Sequence, residues 1–183
     1  MNIRRATGAD AEAIAGVHVA SMRAAYQGQF PAGALVQVDA RDRAERWRQH
    51  LARAASVTVL AEADGRLVGF ADFGSCRDED LSPGVGELMA LYVLPDAWGS
   101  GVGSALMREA LSRLRGDGFA EVVLWVIEGN RRAVRFYRRF GFVPDGSACR
   151  REMYGTTTTV VRLRFHAGVK TAEPSASTDQ PDE

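Results

Sequence analysis

Residues 98–104, Trp98-Gly99-Ser100-Gly101-Val102-Gly103-Ser104, set three glycines at alternate positions between a strand-like run, Glu87 to Pro95, and a helix-like run, Ala105 to Leu111. Strand, glycines, helix start is the order in which a chain builds an anion cradle. Glycine lets the backbone come close to a ligand, and the unpaired N–H groups of the first helical turn point at whatever negative charge lies there. The chemistry implied is phosphate binding. The turn alone leaves open which phosphate.

Three ligands compete for it: a nicotinamide or flavin dinucleotide, a nucleoside triphosphate and a coenzyme A. A dinucleotide fingerprint places glycines at the first, third and sixth positions, whereas here the fifth is Gly103 and the sixth Ser104. A triphosphate loop needs Gly-Lys-Ser or Gly-Lys-Thr, and no lysine precedes Lys170. A tight turn with no ligand is the plain alternative.

Further along, Asn130-Arg131-Arg132-Ala133-Val134-Arg135-Phe136-Tyr137-Arg138-Arg139-Phe140-Gly141-Phe142 resembles the asparagine, alanine, Phe-Tyr and Gly-Phe pattern that closes the cofactor site in the GNAT family of N-acetyltransferases. With the glycine turn and the preceding Leu91-Tyr92-Val93-Leu94-Pro95, the resemblance runs from Ile3 to His166. It implies acetyl-CoA as co-substrate and a primary amine, on a small molecule or a peptide, as acceptor. The pyrophosphate would lie on the backbone N–H groups of Gly99, Ser100, Gly101, Val102, Gly103 and Ser104. The backbone of Leu91, Tyr92 and Val93 would pair with the pantetheine arm, and Asn130 would stand at its end while also capping the following helix. Tyr137 takes the position of the acid that meets the departing sulfur. In one departure, the family turn usually opens with glutamine or arginine and this chain has Trp98.

The amine must also lose a proton. Glu87 is the best base, a carboxylate in the otherwise apolar Val85-Gly86-Glu87-Leu88-Met89-Ala90, where burial is costly without a purpose or a partner. Strict alternation sets Glu87, Met89, Leu91 and Val93 on one face. A relay through water fits equally, and so does a structural carboxylate paired with arginine. On the first helix, His18 reads as a satisfied helix histidine, and Glu12 lies beside it. Tyr26, Gln27 and Gln29 open the connection expected to shape the acceptor pocket, together with the loop 77–84.

The elements around these residues describe one domain. The 183 residues suffice for one substantial core, and 23 basic and 23 acidic side chains cancel, so no global field draws nucleic acid or a membrane surface. Cys76 and Cys149 are too few for a structural zinc site, and no metal is expected. Asp10 and Glu12 interrupt the apolar pattern that a secretory signal would need, and a cytoplasmic protein is the expectation. Helical spacing marks Ile14 to Ala25 and a second helix capped by Asp39. Asp64-Gly65 marks a hairpin between runs 57–61 and 67–73. Strand 85–94, the glycine helix and the apolar strand 122–127 form a parallel crossover, followed by a helix through Phe140. Residues 146–155 read as loop and 157–165 as a last strand. The resulting expectation is an α/β (α+β mixed) fold with a mostly antiparallel central sheet and flanking helices over residues 1–167. Residues 168–183, rich in Ser, Thr, Pro and acids, form a disordered tail. An apolar strand edge at Val160–Phe165 suggests a homodimer. A non-catalytic acyl-CoA-binding sensor and a dinucleotide-dependent oxidoreductase are the rival functions.

Overall fold

A computed structural model describes residues 1–31 and 33–166. Its elements are β1 (Asn2–Arg5), α1 (Ala11–Ala25), α2 (Ala40–Arg53), β2 (Val57–Ala63), β3 (Arg66–Ser75), β4 (Val85–Val93), α3 (Val102–Gly116), β5 (Glu121–Ile127), α4 (Arg131–Arg139), β6 (Val143–Met153) and β7 (Thr156–His166). The tail expected to be disordered, 168–183, lies outside the described residues. No described helix is long and apolar enough to cross a membrane.

Local chemistry sets several of these boundaries. Asp39 caps α2, its carboxylate accepting from the Arg41 N–H at 2.6 Å. Asp64 and Gly65 both adopt positive φ, 51° and 73°, as a two-residue hairpin between right-twisted strands requires. The seven strands form one sheet in the order β1-β2-β3-β4-β5-β7-β6, and only β4 and β5 run parallel. Leu106, Met107, Ala110 and Leu114 of α3 pack on one face, joined by Ala133, Phe136 and Tyr137 of α4. Ile14 and Val17 of α1, with Ala44 and Trp47 of α2, cover the other face over Leu60, Phe70 and Tyr92.

The feature that matters most for function is a defect in this sheet. β4 and β5 are in register only at Val85↔Glu121, Gly86↔Val122 and Glu87↔Val123. Beyond that point they part. On the β3 side Asp72 opposes Ala90 while Phe73 opposes Leu88, so Met89 is an extra residue, a bulge of the kind that bends its strand. The bulge also resets the alternation. A Cβ on Gly86 would meet Leu114 and Phe119, and Leu88, Leu91 and Val93 pack with α3, whereas Ala90 and Tyr92 pack with α1 and α2. Glu87, between Gly86 and Leu88, therefore shares its face with Ala90 and Tyr92, not with Leu91 and Val93 as strict alternation implies.

Two other expectations change. The segment read as loop from Gly146 is most of β6: Ala148 to Met153 pair with Val161 to Thr156, across an irregularity between Pro144 and Ala148 where Gly146 has φ 91°. Pairing with the next strand, β7, itself held against β5, overrides weak local propensity there. β7 is no edge, because it lies between β5 and β6 with Val160 and Leu163 buried. The surface expected to support a homodimer is interior to the sheet.

Candidate active site

Leaving Leu94, the chain makes a short 3-10 turn, Pro95–Ala97, and enters the glycine turn. Gly99 and Gly101 take φ of 81° and 94°, in the left-handed region where side chains with a Cβ are strained. The first helical bond of α3 runs from the Ala105 N–H to the Gly101 carbonyl. Among the described residues no backbone or side-chain acceptor meets the N–H groups of Val102, Gly103 and Ser104, and Gly101 offers no capping side chain. These are the free donors an anion would use. Ser100 is the exception within the predicted set. Its N–H and hydroxyl both donate to the Ala97 carbonyl, at 3.4 and 2.7 Å, so it braces the turn from behind. Val102 turns its side chain into the core.

Trp98 has a definite job. Its Nε1 donates to the Val93 carbonyl at 2.7 Å, and the Arg132 guanidinium from α4 lies 3.5 Å from its ring centroid. That stack holds a cation at the mouth of the turn, where Trp98 itself supplies none.

The backbone of β4 divides between two neighbours. The Leu94 N–H donates to the Val68 carbonyl, and register then directs the backbone groups of Tyr92 at Phe70 and those of Leu91 and Val93 into the gap beside β5. Leu91 and Val93 are therefore placed to meet an extended ligand, with the Val93 carbonyl shared with Trp98. Tyr92 is spent on β3. It contributes its side chain, stacked 4.3 Å from His18, with its hydroxyl 3.5 Å from that of Tyr26.

On the α4 side, Asn130 caps the helix, its Oδ1 accepting from the Ala133 N–H at 3.1 Å. Helical spacing then brings Tyr137 inward, edge-on to Phe136 and Phe142. Its hydroxyl has no hydrogen-bond partner among the described residues, and burial pushes the phenol above its ordinary pKa. It stays protonated, able to donate. Tyr26, Tyr92 and Tyr154 gather nearby, so all four tyrosines of the chain meet at one place.

All the predicted site residues except Ser100 and Val102 line one cavity of about 530 Å³ that passes through the gap between β4 and β5. Glu87 sits at its apex, 4% exposed. Its buried carboxylate has the arginine partner that sequence left as one option: Arg77 donates through Nε (2.9 Å) and a terminal nitrogen (2.7 Å), with its backbone N–H at 3.3 Å. A carboxylate offers about four acceptor positions. Among the described residues three donors meet it, which is within its capacity to accept a further water or amine.

The far face of the cavity contains residues that sequence reading passed over. Trp125 of β5 lies opposite Leu124 and Val126, which pack with α3, and Arg151 of β6 lies over its ring at 4.9 Å. Trp125 was visible as a lone aromatic in an aliphatic strand. Arg151 carried no local signal, since only the β6–β7 pairing brings it here. Tyr26, Phe30 and Tyr154 form an aromatic lip with ring centroids 5.1 to 6.2 Å apart. Gln29 is turned back to the Ala25 carbonyl, and Glu12 pairs with Arg48 on the surface.

His18 is a structural group. Its Nδ1 accepts from Trp47 Nε1 at 3.2 Å, and burial pushes its pKa down to about 3. The unfolded chain takes up this proton near pH 6.5 and the folded one only near 3. Stability present above pH 6.5 is therefore lost as pH falls, by at most about 1.4 kcal/mol per pH unit. Thermal melts between pH 7 and 4.5 should show the decline, and His18→Gln should flatten it. An equally steep slope in the variant would assign the loss to another group. Asp10, held low by Arg4, begins to contribute only below the ordinary carboxylate range.

Residues 19–142 match the model of the acetyltransferase (GNAT) family. An uncharacterized N-acetyltransferase of Bacillus subtilis, YuaI, is 31% identical over 140 residues, 76% of this chain and 79% of that protein. The mycothiol acetyltransferase of Frankia casuarinae is 41% identical over 91 residues, which are 46% of this chain and 26% of that protein. Among solved structures, the PaiA N-acetyltransferase of Thermoplasma acidophilum in complex with coenzyme A superposes with a TM-score of 0.72 at 20% identity, over 90% of this chain and 98% of that one.

Proposed function

Since this chain belongs to the acetyltransferase (GNAT) family, we propose that it passes the acetyl group of acetyl-CoA directly to a primary amine, in a ternary complex whose two substrates meet through the gap between β4 and β5. The observation that carries this reading is the parted sheet. Free helix-start N–H groups and a protonated phenol stand on its α3/α4 face, and a buried carboxylate stands on the other. We assign the reaction to a single domain over residues 1–167.

The free N–H groups at the start of α3 and the stacked Arg132 suit a pyrophosphate, and the backbone of Leu91 and Val93 suits the pantetheine amides. Acetyl-CoA supplies an activated thioester. The amine nitrogen bonds to the thioester carbon, and the C–S bond breaks as the tetrahedral adduct collapses. Tyr137 gives its proton to the departing sulfur and regains one from solvent. Glu87 receives the amine's proton, directly or through one water. No acyl-enzyme is needed: both cysteines are half-buried, and burial pushes the Cys76 thiol up, away from the reactive thiolate.

Release of free CoA thiol from acetyl-CoA, followed over a panel of primary amines, tests the reading. Titration calorimetry with acetyl-CoA runs beside it. Binding with turnover on at least one amine is expected, while binding without turnover on any would favour a sensor. Glu87→Gln should lower kcat about 10- to 100-fold at neutral pH without weakening acetyl-CoA, with activity recovering as pH rises and the amine deprotonates unaided. An unchanged pH profile would remove Glu87 from the base role.

A further inference from the structure

We propose that the amine acceptor also bears a carboxylate, which Arg151 reads beside the reacting gap. This deepens the acetyl-transfer reading and rests on it. On the face opposite α3 and α4, the charged groups lining the cavity are Glu87, Arg77 and Arg151. Arg77 and Glu87 neutralise one another, so an acceptor carrying extra positive charge finds no free counter-ion there. Arg151 has no carboxylate partner among the described residues, and it leaves one positive charge at the acceptor end.

The support beneath Arg151 is anchored on one buried group, Arg162. Its guanidinium lies over Trp125, whose Nε1 donates to Asp78 Oδ2 at 2.8 Å. The same Asp78 oxygen receives Arg162, a guanidinium 3% exposed that also binds Asp80 (2.8 Å), Asp145 (2.7 Å) and Ser147 (2.8 Å). This bond orients the indole, and the guanidinium over its ring is by nature a planar fork. A planar fork suits a carboxylate better than a point anion. Met153 and Tyr26 add apolar surface to the same cavity, Tyr26 being backed by Phe30 and by Tyr154, which is held at φ 50° in the β6–β7 turn. Amine, carboxylate and apolar body together describe an amino-acid-like acceptor.

The test compares kcat/KM for L-phenylalanine, L-phenylalaninamide and phenethylamine, for leucine and leucinamide, and for spermidine, each at equal free-amine concentration. The carboxylate members should be preferred about 10- to 100-fold, the range of a charge-assisted pair. In Arg151→Gln that preference should collapse through KM, with acetyl-CoA affinity kept because that ligand lies on the opposite face. Arg151→Lys, which keeps the charge but not the fork, should retain part of it. Preference for the amides or for spermidine overturns the proposal, and so does a carboxylate preference that survives Arg151→Gln. Turnover of none of these amines, nor of any in the wider panel, overturns the acetyl-transfer reading itself.

Discussion

Gly101→Val should abolish acetyl-CoA binding, seen by titration calorimetry as a loss of at least about 100-fold in affinity. Two effects act together. Gly101 has φ 94°, a conformation that a β-branched residue adopts only under strain, of order 1–3 kcal/mol. A Cβ built there meets no protein atom within 4 Å, so the added side chain would stand in the open space before α3, where a pyrophosphate would lie. Relief of the strain would rotate the turn and withdraw the N–H groups of Val102, Gly103 and Ser104 from their common direction. Gly101→Ala should fall between wild type and valine. A melting temperature close to wild type would show that the fold survives, since no core contact is touched. Retained binding would place the cradle elsewhere.

Tyr137→Phe should cut kcat by about 100-fold or more while changing the acetyl-CoA dissociation constant little. The hydroxyl has no partner among the described residues, so its removal orphans no donor or acceptor. The ring contacts with Phe136 and Phe142 are open to phenylalanine as well. The deletion is thus confined to a group that interacts only once the thioester is present. Loss of the proton donor leaves a thiolate to depart unassisted, a penalty that appears in kcat rather than in binding. The wild-type rate should hold to high pH on this group's account, because burial keeps the phenol protonated above its ordinary range. An unchanged kcat would remove Tyr137 from the acid role.

The two halves of the candidate site were unequally legible. The half on the α3/α4 face is written in contiguous segments. Glycines at positive φ, a helix start without a cap and Asn130 capping a helix that brings Tyr137 inward are each decided by bonds spanning a few residues. Such constraints are satisfied by the local chain, so type and spacing suffice to read them. The family pattern lies in the same segments.

The acceptor half was decided by tertiary structure. Glu87 could be picked out as a carboxylate in an apolar strand, but its face depends on the bulge at Met89, which exists only in the pairing of β4 with β3. Its partner Arg77 comes from a loop fixed through Asp78 and Asp80 to Arg162, 82 and 84 residues away. Arg151 reaches Trp125 because β6 pairs with β7, and β7 with β5, across a stretch whose own sequence reads as loop. A one-residue change of register moves every following side chain to the other face, and no local preference along a strand encodes where that change occurs. Residue types and spacing were thus enough for the fold class, for the glycine turn with its free helix-start N–H groups, and for the inward placing of Tyr137. Which residues line the side proposed for the acceptor was settled by the folded sheet, because cross-strand pairing and ion pairs between distant segments bring Glu87, Arg77, Trp125 and Arg151 to one cavity.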